Sequence, residues 1–221
     1  MSQRVIEFRK HLSLNDLHYI TNTLAGDSLS ESNALFQLLT DPNTVDSILD
    51  QPKLFETILN QPTTISISPR LYFYILTRHN LKRDGLDSAE LADYISGVLE
   101  SFLKSGRDPN SLGSIFYLID WAKKVEVTSQ GERYELYIAA GNHLLFLTGI
   151  FPQFIHRRTV RKGAPGLHFY ETVAKNSFYA ASEHPYSRAA QTDSLYATLA
   201  EEFTDLRAIL NDLADRLITL H

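Results

Sequence analysis

The sequence contains no cysteine among its 221 residues, and only one methionine and one tryptophan. The absence of cysteine excludes disulfide bonds, thiolate metal sites and cysteine nucleophiles, and it fits a reducing compartment such as the cytoplasm. Glycine-rich phosphate loops, nucleophile elbows and the paired histidines of metalloproteases are also missing. The N-terminal residues carry no apolar core of signal-peptide length. We therefore expect a cytoplasmic protein with no cofactor, no metal and no catalytic residues that a motif identifies.

The composition is that of a folded globular protein. Apolar residues make up 43% of the chain and charged residues 21%. The formal net charge is −5, so the molecule as a whole does not attract nucleic acids or acidic membranes. Twelve phenylalanines and eleven tyrosines predict an interior rich in aromatic rings. A chain of this length can bury a substantial core within one domain.

The longest apolar stretch runs from Leu136 to Ile155, and its twenty residues carry no formal charge. This length suits a membrane-spanning helix, so that interpretation has to be weighed. Asn142 and His143 are polar, however, and Pro152 predicts that the helix ends or kinks just before it. We therefore expect the central helix of a bundle, buried on several sides and outside any membrane. Gly141 lowers helix propensity by about 1 kcal/mol relative to alanine, which indicates that another helix approaches closely there.

Helical periodicity accounts for most of the remaining chain. Prolines ten residues apart divide residues 31–62 into three short helices. Residues 63–68 are expected to form an extended connector, and residues 68–221 the main bundle. The sequence therefore predicts an all-α fold, with a single multi-helix domain over residues 1–221.

Two local signals specify the main bundle further. The segment Asp87-x-x-Glu90 has the pattern of a capping box, in which Asp87 would cap a helix that extends to about Lys104. Apolar residues recur at helical spacing through residues 115–121, which predicts another helix there.

Residues 194–221 carry the most regular pattern in the sequence and predict a long C-terminal helix. Their apolar residues alternate spacings of three and four without a slip, as in the seam of a coiled coil. Such a seam packs either inside the chain or against a second copy, so self-association through this helix is one expected form of partnership. The seam consists of Tyr196, Leu199, Phe203, Leu206, Leu210, Leu213, Leu217 and Leu220.

Two polar residues, Asn142 and His143, lie in the most apolar part of the chain. They are candidates for hydrogen bonds to a small ligand or for proton transfer, in a pocket lined by Tyr134, Tyr137 and Phe151. The alternative is structural, because buried polar residues usually satisfy neighbouring backbone groups or a water molecule.

The only dense basic run, residues 156–162, follows the apolar stretch directly. Its arginines and lysine could bind phosphate or RNA. Phe169 and Tyr170 are close in sequence and could stack on bases. The run could equally be a solvated face, or could pair with the excess of carboxylates in this chain. The candidate phosphate ligands are Arg157, Arg158, Arg161 and Lys162.

His168 completes two further patterns. The spacing Arg161-x6-His168 resembles that of the HEPN helical ribonucleases, in which an arginine and a histidine cooperate at a helical dimer interface to cleave RNA. The residues between them here form a glycine- and proline-containing loop, unlike the polar helical turn of that family. His168 and Glu171 are also spaced to share a metal ion, but two ligands alone favour a surface hydrogen-bonding pair.

A second resemblance concerns the run GN-x2-LFLTG-x-FP at residues 141–152, together with Tyr170 and Tyr179. It is similar to a pattern in a group of bacterial helical proteins that have no assigned activity, and it covers residues 136–182. The resemblance implies a bacterial helical protein and supplies no catalytic residue.

Three functions therefore stay open. The leading interpretation is a non-enzymatic helical binding or scaffold protein, with self-association through residues 194–221. The second is a protein that binds phosphate or RNA through the basic run and His168, with HEPN-like ribonuclease activity as a further option. The third is a small-ligand pocket at Asn142 and His143.

Overall fold

The computed structural model describes Phe8, residues 12–41, 43–60 and 67–104, Val125, and residues 127–219. This part of the chain contains twelve helices and no strand, which confirms the all-α fold. The helices are α1 Leu14–Ala25, α2 Leu29–Leu39, α3 Val45–Leu49, α4 Pro52–Asn60, α5 Pro69–Arg83, α6 Ala89–Lys104, α7 Gln130–Ile150, α8 Pro152–Lys162, α9 Leu167–Ser182, α10 Pro185–Ala190, α11 Asp193–Glu201 and α12 Phe203–Thr219.

The described residues fall into two compact units. Those within Ser101–Ala214 form one, which we call the C-terminal unit, and those within Val5–Glu100 and Asp215–His221 form the other, the N-terminal unit. The helix expected through residues 115–121 lies outside the described residues, as does most of the connector expected at residues 63–68.

In the N-terminal unit, the carboxylate of Asp16 joins the starts of two helices. Ser13 and Asp16 form a capping box at the start of α1, and the side chain of Asp16 is buried. The same carboxylate accepts a hydrogen bond from the backbone nitrogen of Ser68 at 2.7 Å. Ser68 is in turn the N-cap of α5, which begins with Pro69. One buried acidic residue therefore fixes where both helices begin.

A second buried carboxylate, that of Asp93 on α6, also contacts the first turn of α5. It accepts hydrogen bonds from the backbone nitrogen of Phe8 at 3.1 Å and from Arg70 at 2.6 Å. Gly97 leaves room for this pairing, because a Cβ there would lie 1.9 Å from the Arg70 guanidinium. Both contacts join residues far apart in sequence, so they determine the packing of the unit rather than its helix boundaries.

The region predicted to hold three short helices contains most of α2 and all of α3 and α4, and Pro52 is the first residue of α4, whereas Pro42 and Pro62 lie outside the described residues. The capping box expected at Asp87 is wrong in one respect. The hydroxyl of Ser88, not the carboxylate of Asp87, accepts the hydrogen bond from Leu91 at 3.1 Å. The carboxylate of Asp87 instead forms an ion pair with Arg78, with 2.6 Å between the Nη2 and a carboxylate oxygen. Ser88 therefore provides the cap, and the carboxylate of Asp87 takes part in an ion pair instead.

In the C-terminal unit, α7 is the longest described helix, with 21 residues. A capping box of Ser129 and Glu132 starts it, and Phe151, just before Pro152, ends it as predicted. α9 packs along α7, and α11 packs along α9. The close approach expected at Gly141 is confirmed, because a Cβ there would lie 2.6 Å from the ring of Phe178 on α9.

The last turn of α7 is fastened by α12. The side-chain amide of Asn211 donates to the carbonyl of Thr148 at 3.0 Å and also to the carbonyl of Gly149. Carbonyls at a helix end have no partner within the helix, so this amide supplies the missing donor. Gly149 allows the approach, because a Cβ there would lie 2.8 Å from the Cβ of Leu210.

The expected single C-terminal helix is interrupted at Glu202, which separates α11 from α12. The ψ angle of Glu202 is 7°, away from the helical value near −42°. Hydrogen bonds of 2.9 Å on either side keep the seam in register. Its residues from Tyr196 to Leu213 are buried within the chain, whereas the side chains of Leu217 and Leu220 lie outside those described.

Among the described residues, no single helix is both long and apolar enough to cross a membrane. The pair α7 and α8 passes that test only when the two are counted together, and the chain bends by 90° between them.

We predict that Gly149→Ala lowers the free energy of unfolding by about 1–3 kcal/mol, because the new methyl group overpacks the contact with Leu210. The neighbouring atom is a Cβ, so relief requires movement of the α12 backbone. Urea denaturation followed by far-UV circular dichroism measures the change. Gly166→Ala is the matched control, because a Cβ at Gly166 meets nothing within 4 Å. Equal stability of the two variants would contradict this account of the junction.

Candidate functional site

The basic run predicted from sequence forms the helix α8. Pro152 occupies its first position. Proline has no backbone N–H, but at this position the N–H would have no partner within the helix, so no hydrogen bond is lost. Gly163 ends it in the left-handed conformation, with φ of 61°. The backbone nitrogen of Gly163 donates to the carbonyl of Thr159 at 3.1 Å, which is the bond of the αL C-cap motif, and that of Ala164 donates to the carbonyl of Arg158 at 3.4 Å. Both ends of the basic helix are therefore defined by local chemistry.

One side of α8 is seated in the unit and the other faces solvent. Ile155 is its only buried residue, and Phe154, Arg158 and Thr159 are half-buried beside it. The residues on the opposite side recur at intervals of three and four, so they form one continuous stripe. This exposed stripe consists of Gln153, His156, Arg157, Val160 and Arg161, and the exposed Lys162 follows it.

The cations of α8 have no carboxylate partner among the residues that the structure describes. In the part of the chain that the structure describes, no ion pair involves Arg157, Arg158, Arg161 or Lys162. The Nε of Arg157 donates to the carbonyl of Gln153 at 3.3 Å. The guanidinium of Arg158 lies 5.6 Å from the centre of the Phe154 ring. Within the described ranges, therefore, pairing with carboxylates does not explain this run.

The surrounding sequence leaves the charge of α8 uncompensated. The nearest acidic residues along the chain are Glu135 and Glu171. Glu171 is already engaged by Arg207 on α12, with 2.5 Å between the Nε and a carboxylate oxygen. The helix dipole favours cations at Arg161 and Lys162 in the last turn, but it does not act strongly on Arg157 in the middle. α8 therefore presents a positive stripe on a chain whose net charge is −5.

His168 lies on the first turn of α9, across the loop from α8, and its side chain is 95% exposed. The predicted pair with Glu171 is loose, with 3.9 Å between the nearest nitrogen and oxygen. No cluster of three or more histidine, aspartate or glutamate residues suited to a metal ion occurs within the described ranges. Arg161 and His168 belong to different helices, unlike the single helical turn of the HEPN arrangement.

The small-ligand pocket predicted around Asn142 and His143 is not assembled as expected, because its aromatic residues make separate contacts. His143 is buried and meets the edge of the Phe102 ring, which stacks on Phe146 at 4.2 Å. Phe146 in turn contacts Phe151. Tyr134 contacts a different element, because its hydroxyl accepts a hydrogen bond from the hydroxyl of Ser187 on α10 at 3.2 Å. The half-buried Asn142 follows Gly141 on α7. The structure thus brings Phe151 towards His143 but not Tyr134.

Packing within the C-terminal unit explains most of the run that resembles the bacterial helical proteins. Gly141 and Gly149 admit Phe178 and Leu210, and the hydroxyl of Thr148 donates to the carbonyl of Leu144 at 2.7 Å. Comparison of the chain with protein-family models, curated proteins and solved structures gave no match. The resemblance therefore stays a prediction.

A buried ion network in the N-terminal unit has no counterpart among the sequence predictions. Arg78 is 6% exposed, and its Nε and Nη2 donate to the two oxygens of Asp50 at 2.8 and 3.0 Å. The Nη2 also contacts Asp87, and Lys82 donates to Asp50 at 2.9 Å. Sequence shows Arg78 and Lys82 only as cations suited to the C-terminal end of α5. Their partner lies 28 residues before Arg78, so no local pattern identifies it.

Charge pairing outweighs burial in this network. Burial acts to raise the pKa of Asp50, but the hydrogen bonds and charges of Arg78 and Lys82 lower that pKa below its ordinary value of 3.8. Burial likewise acts to lower the pKa of Arg78, and the hydrogen bond and charge of Asp50 raise that pKa overall. Both groups are therefore charged at neutral pH.

We predict that Asp50→Asn lowers the free energy of unfolding at pH 7 by about 1–2 kcal/mol, because Arg78 loses a two-point partner. The pKa of Asp50 is lower in the folded protein than in the unfolded chain. Its contribution is therefore complete above about pH 4 and is lost as the pH falls through the folded pKa. Urea denaturation between pH 2 and pH 7 should show the two proteins converging in acid.

The matched control is Asp27→Asn, which changes an exposed aspartate with no ion pair among the described residues. It should alter stability by less than about 0.5 kcal/mol. A stability difference for Asp50→Asn that stays constant down to the lowest pH would contradict the pairing.

Proposed function

We propose that this protein is a non-enzymatic helical binding protein that holds RNA through its phosphates on the exposed stripe of α8. The observation that carries the proposal is the set of α8 cations that have no carboxylate partner in the described structure. Arginine suits this task because its planar donors match phosphate oxygens two at a time. Arg157 and Arg161 are four residues apart, so they follow one another at about 6 Å along the helix axis.

The ligand class follows from what surrounds the stripe. Phe169, at the start of α9, is 44% exposed and follows the basic run by seven residues, and an exposed ring of this kind suits base stacking. The rest of the chain is acidic, which confines a polyanion to α8 and disfavours binding elsewhere. A repeating phosphate chain can meet several cations of the stripe at once, whereas a single carboxylate can meet only one or two.

Two features favour binding over cleavage. Arg161 and His168 lie on separate helices, and the exposed side chain of His168 makes only a loose contact with Glu171, at 3.9 Å. A general acid or base needs such positioning. Self-association through residues 194–221 stays a prediction, and the burial of the seam as far as Leu213 does not favour it.

We predict that Arg157→Gln/Arg161→Gln weakens RNA binding about tenfold or more at low salt, because each lost charge-assisted contact contributes on the order of 1 kcal/mol. The slope of log affinity against log salt should fall by about 1.4, since each phosphate contact on a single strand contributes about 0.7. Fluorescence anisotropy with a labelled single-stranded RNA of mixed sequence, over a series of salt concentrations, measures both quantities.

Lys53→Gln/Arg188→Gln is the charge-matched control, because both residues are exposed and neither lies on α8. It should leave the salt slope unchanged. The proposal is wrong if the wild-type protein does not bind the RNA, or if the control variant loses as much affinity as the α8 variant. Cleavage of the RNA by the wild-type protein would contradict the non-enzymatic part alone.

A further inference from the structure

A small cavity lies within the N-terminal unit, between the end of α3, the start of α4 and the last turns of α5. Its volume is about 230 Å³. At roughly 30 Å³ for each water molecule, this is room for about seven or eight waters, or for one substituted ring. The apolar part of the wall consists of Leu49, Pro52, Phe55 and Ile75.

The ring of His79 adds a flat and polar section to this wall. It stacks on Phe55 with 3.6 Å between ring centres and 8° between the planes. Stacking fixes the plane of the imidazole and leaves its ring nitrogens at the edge. Neither nitrogen has a hydrogen-bond partner in the part of the chain that the structure describes. His79 therefore offers both a planar surface and a polar edge to a ligand.

Lys82 supplies a cation at the mouth of the cavity, where its side chain is 42% exposed. One of its N–H groups donates to Asp50, so two further donors remain. Both oxygens of Asp50 already accept from Arg78, which is buried in the same wall. Because Asp50 is shared between two cations, it does not fully neutralise Lys82.

Of the four charges that act on the pKa of His79, three are positive, although Arg83 is itself paired with Asp84 and Lys82 with Asp50. Burial lowers the pKa of His79, and the charges of Arg83, Arg216 and Lys82 lower that pKa further against the opposing charge of Glu56. The imidazole is therefore neutral at pH 7 and lies in a positive field. Such a field favours an anionic ligand over a cationic one.

We propose that this cavity binds a small planar organic anion of the aromatic carboxylate class. The ring of the ligand packs against the apolar wall and the stacked pair of Phe55 and His79. Its carboxylate lies at the mouth, where it accepts hydrogen bonds from Lys82 and from the neutral imidazole of His79. The site is separate from α8 in sequence, in unit and in ligand class, so it does not depend on the proposed RNA binding.

The experiment uses 4-fluorobenzoate as the probe and follows its 19F line width and chemical shift as the full-length protein is added. 4-Fluorobenzyl alcohol is the matched neutral probe, because it keeps the ring and lacks the charge. We expect the carboxylate to bind more tightly than the alcohol. Phe55→Leu should weaken both probes about threefold to tenfold by removing the stacked ring.

The decisive variant is Lys82→Met, which removes the charge and keeps the length of an exposed side chain. It should weaken 4-fluorobenzoate about fivefold and leave 4-fluorobenzyl alcohol unchanged. Lys162→Met on α8 is the matched control and should bind both probes as the wild type does. Circular dichroism of each variant shows whether it is folded before its affinity is compared.

The proposal is overturned if wild-type protein does not bind 4-fluorobenzoate. It is also overturned if Lys82→Met binds the carboxylate as tightly as wild type does, or if Lys162→Met loses as much affinity. Equal affinity for 4-fluorobenzoate and 4-fluorobenzyl alcohol would show that the cavity does not select anions, and would contradict the proposal. Loss of RNA binding in the α8 variant, with probe binding intact, would support two independent sites.

Discussion

The hydrogen bonds from the Asn211 amide to the last carbonyls of α7 are the contact on which the C-terminal unit depends. A helix that ends against a proline leaves its final carbonyls without helical partners, and a donor from elsewhere must satisfy them. Asn211 supplies that donor, and Gly149 allows α12 to come close enough to deliver it. α8 begins at Pro152, after a bend of 90°, and the basic stripe of α8 faces solvent.

The contrast between the exposed cations of α8 and three largely buried arginines elsewhere carries the functional argument. Arg70, Arg78 and Arg207 each meet a carboxylate at 2.5–2.8 Å. On α8, Arg157 and Arg161 are four residues apart on one face, which is unfavourable for stability because like charges at that spacing repel. A chain with 26 acidic residues could relieve this repulsion, and α8 contains none of them. A phosphate ligand would relieve it instead.

Features governed by local chemistry could be predicted from the sequence. Pro152 predicts the end of α7, and Gly141 predicts a close helix contact, because proline and glycine constrain the backbone wherever they occur. The sequence also indicates the basic run as a candidate site, whereas the lack of carboxylate partners for its cations among the described residues depends on packing. The interruption at Glu202 could not be predicted, because the heptad pattern continues through it without a change of register.

Features governed by long-range pairing could not be predicted. Asp87 has the sequence position of a helix cap, yet it pairs with Arg78, and Ser88 takes the capping role. The cavity beside His79 is formed by segments up to 33 positions apart, from Leu49 to Lys82, and no motif joins them. A single sequence shows which residues can carry charge or stack, whereas their neighbours in the fold decide what they do.

The most direct test of the central claim is to map where RNA touches the protein. A single-stranded RNA containing 4-thiouridine is crosslinked to the full-length chain by ultraviolet light, and the modified peptides are identified by mass spectrometry. The account predicts that crosslinks concentrate within residues 152–170, on α8 and the first turn of α9. Crosslinks spread over the acidic remainder of the surface, or confined to the N-terminal unit, would contradict it.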